Sequence, residues 1–175
     1  MPEMSEEAKA AMNAWMMLRN PGEHHKHLEA FVGEWTSEIT MWMEPGAEPM
    51  TEGATSSVRS IFGGRYFEWT HKGVFGGMPF EARQFDAYNN GDQRYEGTWA
   101  DNFGTLILYY SGECEDDGRV RTMHTEYSDP TGSGDKISNR LVFTWQDEDH
   151  FLFESFETRG GEEFQNMETR YSRVK

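Results

Sequence analysis

The sequence predicts an all-β protein: an antiparallel, up-and-down barrel of about ten strands, entered through one or two N-terminal helices. Three observations carry this. The spacing of apolar residues changes at Gly33 from the helical period of about 3.6 to the strand period of about 2. From there to the C-terminus, turn signals rich in Gly, Asn, Asp and Pro recur at hairpin spacing, with no helical pattern between them. Short connections also force antiparallel neighbours, and a long antiparallel meander leaves bare edges that closure into a barrel removes. A chain of 175 residues suits one domain. Residues 1–32 are expected to form a helical lid or plug, and residues 33–175 the barrel.

The first helix starts at Ser5, a good N-cap, with Glu6 and Glu7 in the turn where the helix dipole favours acids. Ala8, Ala11, Met12, Trp15 and Met16 then fall on one stripe. Asn20-Pro21-Gly22 ends it, and Asn20 can cap a second short helix with Pro21 at its first position. That helix carries His24, His25, His27, Leu28 and Phe31 towards Gly33. Alternation begins with Trp35, Ile39 and Met41 against Thr36, Glu38 and Thr40. Further strands are predicted over 53–62, 65–74, 80–88, 94–100, 105–112, 119–127, 136–145, 150–158 and 162–174. Asn89-Asn90-Gly91-Asp92 and Glu115-Asp116-Asp117-Gly118 are the strongest hairpin turns between them.

The formal net charge of -15 opposes binding to phosphate backbones or anionic lipid, so neither nucleic acid nor a membrane is an expected partner. Aromatic residues at 14% are too many for a disordered acidic chain, so the charge decorates a packed core. The single cysteine, Cys114, excludes an intramolecular disulfide and a thiolate metal cage. The N-terminus has Glu3, Glu6 and Glu7 against Lys9, which does not read as a secretory signal, and no window has the length and apolarity of a membrane-spanning helix. A cytoplasmic location is expected.

Gly33-Glu34-Trp35 after a short helix resembles the opening of the calycin superfamily, which includes lipocalins, fatty-acid-binding proteins and nitrobindin-like barrels. In that group the Trp plugs the closed end of the barrel, and a basic residue of the last strand stacks on it. The resemblance implies structural roles for Gly33 and Trp35, with Arg170 and Arg173 as candidates for the stacking cation. The chain also resembles a bacterial family of domains of unknown function. Its matching residues run from Glu23-His24 and Val32-Gly33-Glu34-Trp35 through Gly63-Gly64-Arg65, Pro79-Phe80-Glu81 and Trp99 to Asp149-His150, Phe153-Glu154 and Met167-Glu168. That resemblance implies fold and family and no activity.

The candidate site is the lumen. Phe67, Trp69 and His71 share one face of their strand, and an aromatic wall is completed by Trp99, Tyr110, Phe143 and Trp145. His71, Gln84 and His124 are the polar groups expected to orient a small apolar or aromatic ligand within it. A neutral imidazole also suits a haem iron or general-base chemistry, so a haem-binding or enzymatic barrel working through His71 or His124 is the alternative. A barrel filled by its own side chains, serving structure or interaction, is the other. No cofactor or metal motif is present otherwise: His24 and His27 share a helix face, but no acid or thiol completes a set, and they read as helix surface or plug. No nucleophile elbow or phosphate-binding loop occurs. Expected partners are a small apolar ligand and, at most, a second copy of the chain.

Overall fold

The protein is described by a computed structural model over residues 4–175, so Met1 to Glu3 of the expected lid lie outside the described residues. Helix α1 (Glu6–Leu18) begins as read: Ser5 Oγ accepts a hydrogen bond from the Ala8 N–H at 3.2 Å. No residue of α1 is buried. Its end is tied to the barrel by Asn90, whose side-chain amide donates to the carbonyls of Leu18 and Asn20 at 2.9 Å each. Helix α2 (Glu23–Glu29) starts later than the Asn20-Pro21 signal suggests. Gly22 is its N-cap, and the Gly22 N–H donates to His25 Nδ1 at 3.1 Å. A ring nitrogen supplied from inside the helix does the work expected of Asn20.

Ten strands follow: β1 (Gly33–Met41), β2 (Met50–Ile61), β3 (Tyr66–Phe75), β4 (Met78–Asn89), β5 (Arg94–Asp101), β6 (Leu108–Glu115), β7 (Val120–Ser128), β8 (Lys136–Trp145), β9 (His150–Arg159) and β10 (Glu162–Arg173). Each pairs antiparallel with its neighbours in sequence, and β10 returns to β1 from Trp35↔Arg173 to Met41↔Met167, which closes the barrel. The turns follow side-chain chemistry. Asn89 Oδ1 accepts from the Gly91 and Asp92 N–H groups and nucleates the β4–β5 hairpin. Asp101 Oδ1 accepts in the same way from Phe103 and Gly104, and the chain from 104 to 107 then runs outside the ladder. The strand predicted from 105 therefore begins at Leu108.

Helix α2 closes the end of the barrel where β1 begins. Leu28 and Phe31 enter the core together with Trp35, Trp69, Phe143 and Phe151. Gly33 holds φ at +138°, and a Cβ there would lie 2.8 Å from an Arg173 guanidinium nitrogen. That turn lets Trp35 fold back so that its Nε1–H donates to the Phe31 carbonyl at 2.8 Å. Arg173 stacks 4.2 Å from the centroid of the Trp35 ring and donates to the carbonyls of Ala30 and Val32 at 2.8 Å each. Arg170, the other candidate for this role, points outward and pairs with Glu168. Among the described residues, no helix is long and apolar enough to cross a membrane.

Candidate functional site

Strand alternation puts one row of side chains from each strand into the lumen. From β3 these are Phe67, Trp69 and His71, and from β4 they are Ala82, Gln84 and Asp86, all buried. Tyr110 of β6 and Arg121 of β7, two and three strands further round the barrel, reach Asp86 from there. The polar members form one continuous chain. Asp86 sits at its centre: its Oδ1 and Oδ2 accept from Gln84 Nε2 (3.2 and 3.1 Å), Oδ1 also from the Tyr110 hydroxyl (2.7 Å) and Oδ2 also from an Arg121 guanidinium nitrogen (3.2 Å).

That arrangement fixes every proton along the chain. With its amide nitrogen on the carboxylate, Gln84 turns Oε1 towards His71, and His71 Nε2–H donates to it at 3.3 Å. His71 Nδ1 is then the acceptor, and the Ser56 hydroxyl donates to it at 2.8 Å. Burial lowers the pKa of His71 from its ordinary 6.5 to about 4, so the ring is neutral at physiological pH. Burial, with the Asp86 carboxylate next, raises the Tyr110 phenol well above its ordinary range, so it stays a donor. The Arg121 guanidinium is stacked 4.3 Å from the Phe143 ring and 5.1 Å from Phe31 of the plug. Hydrogen-bonding capacity is left over: Trp69 Nε1, Arg121 Nε and Asn139 Oδ1 are buried without a partner among the described residues.

The plugged half of the lumen is tightly packed. A void of about 10 Å³ remains there, between Leu28, Phe31, Tyr95, Arg121, Phe143 and Trp145, which is about the room one water needs. A far larger cavity, about 720 Å³, lies on the β6–β8 side towards the opposite end.

Most of the expected lumen residues come together. Trp69 stacks on His71 with ring centroids 5.6 Å apart, and Trp99 approaches His71 to 4.9 Å from β5. Tyr110, Gln84 and Phe143 are buried on the inner face, and half-buried Trp145 packs on Phe31 at 4.6 Å. His124 does not join them. It is exposed on the outer face of β7, whose inner face carries Arg121, Met123 and Thr125. Both faces of this strand mix polar and apolar residues, so alternation alone gave no phase. The same ambiguity hid Arg121, while Asp86 stood two residues after Gln84, on the same face. His24 and His27 belong to the plug: both lie within hydrogen-bonding distance of the Tyr95 hydroxyl, and His24 stacks on Tyr88 at 4.1 Å. Both ring nitrogens of His71 are engaged, so ligating an iron would require it to give up Ser56 or Gln84. Among the described residues, no three His, Cys, Asp or Glu side chains are placed to hold a metal ion.

A family model described as "Protein of unknown function (DUF1579)" matches residues 20–173. No curated protein matches the chain. Among solved structures, Rv2717c from M. tuberculosis aligns with a TM-score of 0.64 at 14% identity, over 89% of this chain and 100% of that one. A redesigned beta barrel aligns at 0.46 and 10% identity, over 84% and 94%. At 14% identity the likeness to Rv2717c concerns the fold alone.

Proposed function

The chain belongs to the DUF1579 family of proteins of unknown function, and we propose that within it this barrel binds a small, largely apolar molecule in its lumen. The observation that carries this reading is the buried polar chain Ser56–His71–Gln84–Asp86, set against Trp69 and Trp99. A barrel needing only a core would be as stable or more so with hydrocarbon there, because a buried charged pair such as Asp86–Arg121 costs desolvation that its attraction barely offsets. Few convergent polar groups in an aromatic wall are what a ligand site requires. The Gly33–Trp35 turn and the Arg173–Trp35 stack support a calycin-like relationship, as lipid- and haem-carrying barrels have. The lone Cys114 and the acidic surface support a cytoplasmic protein with no affinity for nucleic acid.

The test is a fluorescence titration of the folded protein with an anilinonaphthalene-type dye, alongside thermal melts. The wild type is expected to bind saturably. His71→Phe is expected to keep the fold and change affinity by roughly the 1–3 kcal/mol of one buried polar contact. Absence of saturable binding by the folded wild type would favour the second reading, a barrel filled by its own side chains. The packing around the 10 Å³ void at the plugged end is the observation on that side.

A further inference from the structure

The wall of the barrel is not sealed along its whole length. Strand β7 stays paired with β8 as far as Ser128↔Lys136. Its pairing with β6 ends at Tyr110↔Thr125. Glu126, Tyr127 and Ser128 thus have β8 on one side and no β6 partner on the other, a gap of roughly 10 Å at about 3.3 Å per residue. Thr125 closes its inner end, donating from its hydroxyl to the Tyr109 carbonyl at 2.7 Å. The cavity of about 720 Å³ lies at this gap. Its lining comes from both faces of the sheet: Thr125 and Asn139 from the inside, His124 and Arg140 from the outside. The cleft thus opens on the outer face and reaches Thr125 and Asn139 of the inner face where the β6–β7 ladder stops.

The lining also specifies what fits. The outer lip is apolar and stands in solvent, with Leu106 53% and Ile107 71% exposed. At the inner end Asn139 is 8% exposed; its Nδ2 donates to Ser155 Oγ at 3.0 Å and its Oδ1 has no partner. With Nδ2 on Ser155, the open arm is an acceptor and takes a donor. The cross-strand neighbour of Asn139 is the buried Glu157, which is paired with Arg159 and accepts from Asn166 Nδ2 at 3.3 Å, so it brings no free cation to the site. The cations at the mouth are already engaged: Arg140 holds Glu163 through two bonds, and Lys136 donates to Ser128. A net charge of -15 opposes an anion from further away.

We propose that the gap between β6 and β7 is a side entrance for an uncharged molecule, whose aromatic or alkyl body passes the 106–109 lip on its way to the lumen and whose one hydrogen-bond donor meets Asn139. This rests on the barrel being a small-molecule binder and adds where the molecule enters and what it carries. The probe is phenylnaphthylamine, uncharged and with a single N–H, titrated into the intact chain beside its sulfonated analogue, anilinonaphthalene sulfonate. Phenylnaphthylamine is expected to bind saturably, and the sulfonate at least ~10-fold more weakly. Asn139→Leu is expected to weaken phenylnaphthylamine about 5- to 30-fold, the range of one hydrogen bond. Ile107→Arg, on the exposed lip, should weaken it by a similar factor, and Ile107→Leu should restore it. If Asn139→Leu melts before the titration, the two Ile107 variants decide alone. Wild-type affinity in both Asn139→Leu and Ile107→Arg, or equal binding of the sulfonate, would overturn the entrance while the lumen reading stands. No binding of either dye to the folded wild type would overturn both.

Discussion

Burial keeps His71 uncharged, and that choice has a measurable consequence at the scale of one residue. Its pKa falls from 6.5 in the unfolded chain to about 4 in the fold. Between those values the unfolded chain binds a proton that the folded one does not, so stability rises with pH across that window. The contribution is fully present above pH 6.5 and is lost as pH falls to about 4, a swing of about 3 kcal/mol. Denaturant unfolding at several pH values is expected to show the wild type losing that much more than His71→Phe between those limits, and parallel curves would contradict it. The Asp86–Arg121 pair gives a second expectation. Asp86→Asn leaves Arg121 buried without its counter-charge and should cost about 3–5 kcal/mol. Replacing both, Asp86→Leu with Arg121→Met, should recover only part of that in the same unfolding experiment, because the Gln84 amide and the Tyr110 hydroxyl lose their acceptor. Trp69 and His71 were legible in the sequence because their strand alternates cleanly. Asp86 and Arg121 were not, because a charged residue on an inward face looks like a surface residue until its partner is seen across the lumen.

At the scale of elements, the two helices that the sequence presents as one lid behave differently. Helix α2 supplies Leu28, and just after it Phe31 meets Trp69, Trp145 and Phe151 edge-on or tilted. Helix α1 carries an apolar stripe, yet buries none of it. Amphipathic spacing records that a helix has a face and does not say what covers it. Removing residues 4–19 is therefore expected to leave the melting temperature within a few degrees of the full chain, whereas Phe31→Ala should cost about 3–5 kcal/mol. Trp35→Ala should cost a similar amount, since it removes the floor on which Arg173 stacks. A wild-type melting temperature for either variant would mean that α2 is not the plug. Within the sheet, Gly97 matters because Tyr110 lies flat over it: a Cβ there would come within 2.2 Å of the Tyr110 ring. That ring is held by its hydrogen bond to Asp86, so even Gly97→Ala must disturb the polar chain.

For the whole molecule, hairpin turns and strict period-two segments were enough to read a closed barrel of ten antiparallel strands, because each turn carries its own local chemistry. What the sequence did not carry was the early end of β6–β7 pairing. That depends on Asp101 capping a turn, on the chain leaving the ladder through 104–107, and on the Thr125 hydroxyl taking the Tyr109 carbonyl. The charge of -15 predicts that no salt-sensitive binding to DNA or RNA appears in a mobility assay. The proposed function requires a molecule to enter the lumen and meet the polar chain. The most direct measurement is a nitrogen–proton NMR titration with phenylnaphthylamine, following the His71 ring nitrogens and the Trp69 and Trp99 indoles. Saturable shifts of these three inner side chains, with α1 unmoved, are the predicted result. Shifts confined to outer-face residues, with the His71 ring and both indoles at rest, would contradict it.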